Sequence, residues 1–286
     1  MRRRRAAAAL FATGALAGGA VLAVAAPGDL SIVSVSSGGT QGTTSAEASA
    51  VSADGRVVAF TSASDLAGTP VGAVVQLYVR NRATGSTVLA SSSAAGAPAN
   101  AAVDADNVGN VQFAISGNGR YVVFASEATN LTPADTDAGK DVFRKDLQSG
   151  AVVLVSVNSA GQKANAGVGG DPDVSYDGNR IAFTTGTATN IVASDANAGL
   201  ADVVVRDVIA GTTTLAAVNA AGAQANGTTE RPALSADGKV VAFEAPTGTN
   251  NLLPGDASPG DVNDVIVRNL ATGTTAGASN LAAGAG

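Results

Sequence analysis

Four segments share one pattern: a Ser, an Asp-Gly or Asn-Gly pair two residues on, then a run of apolar residues ending on Phe. They are Ser52–Phe60, Ser116–Phe124, Ser175–Phe183 and Ser235–Phe243. The pattern predicts a strand end, a two-residue hairpin turn of the type that needs positive φ, and a second strand. Aligning the four on Phe60, Phe124, Phe183 and Phe243 gives spacings of 64, 59 and 60 residues. A second column repeats with them, in Gln76–Gly85, Asp141–Gly150, Asp202–Gly211 and Asp264–Gly273. It predicts a third strand and a Gly turn, after which Thr87–Ala90, Val152–Val155 and Thr213–Ala216 make a fourth strand.

The second and third strands are apolar at most successive positions, as in Val57–Phe60 and Val203–Val205, rather than alternating. Such strands are covered on both faces. No segment beyond the first 26 residues shows a helical period. The expected fold is all-β: a β-propeller of four-stranded antiparallel blades, in about four repeats of roughly 60 residues. A β-sandwich competes, but it does not require one motif at a fixed interval. The repeat cores run about 46–92, 110–157, 169–218 and 229–277 within a domain of residues 26–286. Ser31–Val35 matches the fourth-strand column, so it is expected to pair into the last blade and close the ring; the alternatives are an open arc or a chain that assembles with another copy. Gly273–Gly277 has lost every large apolar residue of that column, which predicts a loose C-terminal tail.

Residues 1–25 read as an export signal: Arg2–Arg5 are basic, Ala6–Leu22 apolar, and Ala23-Val24-Ala25 is a small-residue cleavage site. A retained membrane helix is the alternative, since the apolar stretch approaches spanning length. Removing residues 1–25 takes 4 of the 17 basic residues and none of the 23 acidic ones, leaving 13 against 23, a net charge of −10. That balance argues against nucleic-acid or anionic-membrane binding, which needs clustered Lys and Arg. With no Cys, neither a disulfide nor a lipidated cysteine is available. With no His, a Ser-His-Asp site and imidazole zinc sites are excluded, and without Trp the usual aromatic platforms are sparse. Carboxylates, amides and hydroxyls remain.

The repeats resemble the WD40-like, or PD40, propeller repeats of exported bacterial proteins, which are similar to the TolB propeller. The matching elements are Ser-x-Asp-Gly-x-x-Val-Ala-Phe, then Ala128–Leu131 or Ala188–Ile191, then Asp-Val-x-Val-Arg-Asp. The resemblance implies a propeller across roughly 30–277; the export signal implies an extracytoplasmic location, and the leading expectation is a non-enzymatic binding or scaffold module whose partner is another exported or cell-envelope protein. The resemblance does not carry over TolB's role in translocation. Propellers host many functions, so function rests on the sites.

Two sites stand out. Between the second and third strands lie Asp135, Asp137 and Asp141 in repeat two, and Asp195, Asn197 and Asp202 in repeat three, with a similar loop from Asp256 in repeat four. Converging hard oxygens suit Ca²⁺; as ordinary turns, the same residues bond their own backbone, as do Asn130, Asn190 and Asn251. The second site is the channel mouth, where Glu47, Gln112, Asp171, Asp173, Glu230 and Arg231 precede or enter the first strands. It suits ligand binding, and paired carboxylates there open a hydrolase or lyase as the alternative. A third reading is an accessory propeller of a separately encoded peptidase or envelope complex. Arg80, Lys145, Arg206 and Arg268 form a basic column expected to pair strands or blades, and Arg144, where other repeats have Val, predicts a wider, exposed edge.

Overall fold

Every apolar run of the repeat forms a strand, and every strand belongs to a four-stranded antiparallel sheet. The computed structural model describes residues 31–103, 112–197, 199–246, 249, 251–253 and 263–278. The export signal expected at 1–25, the Asp256 loop and the tail after 278 lie outside the described residues. The fold concerns Ile32 onward. Among the described residues no helix is long and apolar enough to cross a membrane.

Blade 1 holds β1 (Ala46–Val51), β2 (Val57–Ser62), β3 (Gln76–Asn81) and β4 (Ser86–Leu89). Blade 2 holds β5 (Phe113–Ile115), β6 (Tyr121–Ser126), β7 (Asp141–Asp146) and β8 (Val152–Leu154). Blade 3 holds β9 (Gly170–Val174), β10 (Arg180–Thr184), β11 (Val203–Asp207) and β12 (Thr212–Leu215). Blade 4 holds β13 (Glu230–Leu234), β14 (Val240–Ala245), β15 (Asp264–Asn269) and β16 (Thr274–Gly277). In each sheet the strands pair in sequence order, the meander of a propeller blade.

The core lies between blades. Ala59, Leu77 and Val79 of blade 1 pack against Ile115, Phe124 and Phe143 of blade 2. Val123 and Val142 meet Ile181 and Phe183, and Ala182 and Val203 meet Val241 and Phe243. Each blade presents a small-residue face to its follower and a Phe face to its predecessor. This is why the strands carry apolar residues on both sides.

Polar clamps repeat at the same joints. Nη1 of Arg80, Arg206 and Arg268 donates to the carbonyls of Ser36, Asn158 and Asn219, and Lys145 Nζ donates to those of Ser92 and Ser93. Each acceptor lies in the segment leading into that blade, so Lys145, Arg206 and Arg268 hold the loops between blades and Arg80 holds the segment before blade 1. Asn130, Asn190 and Asn251 differ from expectation. Rather than bonding only their own turns, their Nδ2 groups donate to Pro98, Lys163 and Gln224 carbonyls of the entering loop.

The Ser-x-Asp-Gly element is a four-residue connection, not a two-residue turn. Ser52 N donates to Val57 O, and Gly55 has φ 70° while Asp54 is not left-handed. The Asp54 carboxylate accepts from Ser52 Oγ and Arg56 N, which stabilises the longer loop. Successive connections are joined by backbone bonds from Ala53 N to Gly117 O, Asn118 N to Tyr176 O and Tyr176 N to Ala236 O.

Three further expectations are corrected. Ser31–Val35 is not a strand of blade 4: that place is filled by β16, and Val35 instead bridges Gln41, where its carbonyl receives Thr87 Oγ1. Gly273–Gly277 is not loose, since Thr274–Gly277 pairs with β15 through backbone bonds that need no large side chains. Arg144 does not mark an exposed edge. It is 9% exposed, donates to Gly178 O and stacks 4.5 Å from the centre of the Tyr121 ring.

The inner strands contact in series, β1 with β5, β5 with β9 and β9 with β13, and β13 has no comparable contact with β1. The ends show it in their burial. β6 and β7 are buried almost throughout, whereas β14 buries alternate residues and Val265 of β15 is 39% exposed.

Candidate functional site

The inner-strand edge is built on a repeated irregularity. In β1, β9 and β13 one extra residue interrupts the ladder, at Ala48, Asp171 and Arg231, and each is left-handed with φ of 46°, 49° and 52°. A bulge of this kind re-aims the side chain, and a non-glycine residue held there costs of order 1 kcal/mol or more. Blade 1 uses the position only structurally, with Ala48. Blades 3 and 4 place opposite charges on it.

Gln112, 1% exposed, reaches across from blade 2: its Nε2 donates to Asp171 Oδ1 at 3.0 Å, and its Oε1 accepts from Asp171 N at 3.3 Å. Gly170 precedes Asp171 because a Cβ there would run into the Gln112 oxygen. Arg231 Nη1 donates to Glu244 Oε2 at 2.7 Å. Glu244, then Glu230 and Asp171, hold that guanidinium's pKa above its ordinary value. Glu230 and Glu244 are cross-strand partners.

The structure thus brings together Gln112, Asp171, Glu230 and Arg231 of the expected channel mouth, and leaves two out. Glu47 is exposed on β1, where its carbonyl accepts from Thr61 Oγ1. Asp173 is spent on structure: its carboxylate accepts from Val174 N at 2.8 Å and Leu234 N at 2.6 Å, tying blade 3 to blade 4. Burial raises its pKa against those two bonds. Sequence reasoning missed Glu244, although Glu there replaces Thr61, Ala125 and Thr184 of the other repeats.

The aspartate loops converge as the oxygen-donor pattern predicts, and the centre of the repeat-two loop holds an ammonium. Lys163 Nζ lies 2.6 Å from Asp141 Oδ2, 3.0 Å from Asp137 Oδ1 and 3.7 Å from Asp135 Oδ1. Lys163 comes from the loop entering blade 3, where Val157 bridges it. Asp135 and Asp141 are buried and Asp137 is exposed. Burial raises the Asp141 pKa, outweighing Lys163 and Ser156. Burial alone would lower the Lys163 ammonium, but Asp141 and Asp137 outweigh it and hold its pKa above the usual lysine value.

In repeat three the equivalent of Lys163 is Gln224. Its Nε2 donates to Asp202 Oδ2 at 2.7 Å and Asp195 Oδ1 at 3.2 Å, while Asn197 Nδ2 donates to Asp202 Oδ1. A neutral amide stabilises a buried carboxylate less than an ammonium does, and burial pushes Asp202 up to about 6. The donor set of both loops is all oxygen, as Ca²⁺ requires, but in repeat two an ion enters only if Lys163 gives way.

Gln224→Lys follows as a test. Asp202 ionises in the folded chain only above about 6 but near 3.8 when unfolded, so its burial costs stability as pH rises through that window. A lysine at 224 should raise the melting temperature at about pH 8 and have no effect at about pH 3. An equal gain at both pH values would show that charge is not the cause.

No family model matches the chain, and no curated protein matches it. Solved structures do resemble it. TolB from Acinetobacter baumannii gives a TM-score of 0.47 at 16% identity, over 82% of this chain and 43% of that one. The tricorn protease gives 0.44 at 16% identity, over 75% and 17%. The β-propeller domain of the Trilobed protease from Pyrococcus furiosus gives 0.43 at 8% identity, over 82% and 57%. The chain therefore spans less than two thirds of each of these proteins.

Proposed function

We propose that this chain is an exported, non-enzymatic propeller module that binds another exported or cell-envelope protein along its inner-strand edge. The observation that carries the reading is the pair Asp171 and Arg231, opposite charges placed on strained left-handed bulges of adjacent blades. Ala48 makes the same bulge without a charge, so the bulge does not require one. Arg231 is half exposed and its guanidinium retains donors beyond the one used on Glu244, so it can take a carboxylate or carbonyl of a partner.

The hydrolase alternative has less support. Acid–base work needs a carboxylic acid free to give its proton, and the edge carboxylate raised by burial, Asp173, has both oxygens committed to backbone N–H groups.

A photo-cross-linking residue at Ala48 should capture an extracytoplasmic protein, and one at Ile209, remote in sequence and 76% exposed, should not. Asp171→Asn with Arg231→Ala should cut capture at least about tenfold with the melting temperature unchanged, as expected for loss of a charged contact. Equal capture by the double variant would remove the edge from consideration.

A further inference from the structure

We propose that a second copy of this chain stacks its blade 1 on blade 4 of the first, continuing between molecules the face-to-face contact that joins blades within one. That contact occurs three times inside the chain. On the follower's side, Val122, Ile181 and Val241 are fully buried, and Ile115 and Val174 are 8% and 7% exposed. On the predecessor's side, Ala59 and Ala182 are fully buried and Val79 and Val205 are 3% and 4% exposed.

The same positions at the two ends of the array are uncovered. In blade 1 the follower's residues are Val51, 57% exposed, and Val58, half-buried. In blade 4 the predecessor's residues are Ala233, exposed, and Ala242 and Val267, half-buried. Strand pairing puts Val51 beside Val58, and Ala242 beside both Ala233 and Val267, so each end has a contiguous patch. The two patches are the two halves of the interface repeated inside the chain, in the same register.

That continuity selects the occupant. Within the chain Ala50 packs into the cluster that holds Ile115, and Asp173 touches Leu234 N at 2.6 Å. The equivalent pair between copies is Ala233 and Val51. Pairing blade 4 with itself would set small residues against small residues and leave gaps that a close-packed interface does not tolerate. The outer half of blade 1 is closed by its own Phe60, Tyr78 and Leu66, which confines the contact to the inner half. None of these five residues is charged, so the negative net charge does not fall at the joint.

The chain has no cysteine, which makes cross-linking unambiguous. The full chain carrying Val51→Cys and Ala233→Cys should form disulfide-linked species of two or more copies on mild oxidation, while either single variant should not. An internal disulfide alone would show that the ends of one molecule meet, a dimer from Ala233→Cys alone would show blade 4 pairing with itself, and no cross-link would mean the ends do not associate; each overturns the proposal. In sedimentation, Val51→Glu and Ala242→Glu should each weaken association at least about tenfold, as a charge buried in an apolar contact does. Mixing the two should restore a dimer through the one intact joint, and failure to restore it with both variants folded by circular dichroism overturns the proposal as well.

Discussion

Lys163→Met is expected to destabilise the fold by about 3–5 kcal/mol at about pH 8, the usual cost of removing one partner from a buried ion pair. The ammonium neutralises Asp135 and Asp141, whose side chains are 1% and 0% exposed, and Asp135 Oδ2 has no hydrogen-bond partner to replace it. Without Lys163 two carboxylates face each other in a dry loop. The sign of the pH dependence follows from Asp141. Its pKa is already raised by burial and rises further without the lysine, so protonation relieves the variant as pH falls. The deficit measured by chemical denaturation should shrink steadily towards about pH 4. Calcium separates the two readings of the loop. Millimolar Ca²⁺ should raise the melting temperature of Lys163→Met by replacing the missing cation, and leave the unsubstituted chain unchanged. A rise in both would mean that the ion displaces the ammonium, as the calcium reading requires. No pH dependence in the variant would mean that Lys163 acts by packing alone.

Phe124→Ala should lose about 3–5 kcal/mol, the range for truncating a buried aromatic residue. Phe124 is fully buried, its ring centre lies 5.7 Å from that of Phe143, and it fills the joint between blades 1 and 2. The neighbours on either side are sheets pinned by backbone bonds and clamps, so the cavity cannot collapse cheaply. Ile209→Ala, at an exposed turn, should stay within about 0.5 kcal/mol of the parent. Urea denaturation of both variants checks the contrast. Similar midpoints would mean that blade stacking contributes little to stability.

The comparison of Asp54 with Lys163 shows how much of each site could be read in the sequence. Asp54 acts locally, on Ser52 and Arg56 two residues to either side, so the Asp-Gly motif was readable as a turn. Its length was misjudged because the Ser hydroxyl, which lengthens the loop, carries no strong signal in a turn pattern. Asp135, Asp137 and Asp141 were readable as a convergent cluster for the same local reason. Their cation was not, since Lys163 lies 22 residues beyond Asp141 and the only trace of it is a single Lys where the other repeats have Gln41, Pro98 and Gln224. At the inner edge, Asp171 and Arg231 could be singled out from their place before or within a first strand, and Glu244 could not, because its contact depends on a cross-strand partner.

The sequence by itself determined the all-β class, the four-strand repeat and the Phe-bearing core, because strand alternation, glycine's tolerance of positive φ and apolar burial act over a few residues. Only the tertiary structure decided which blade covers which face, which loop each basic residue clamps, and that Ser31–Val35 does not enter blade 4. Those contacts join residues tens of positions apart, such as Arg80 with Ser36 and Gln112 with Asp171, and they exist only once the sheets are stacked. A repeat states what each blade requires of its neighbours, and the stacked fold decides which neighbour supplies it.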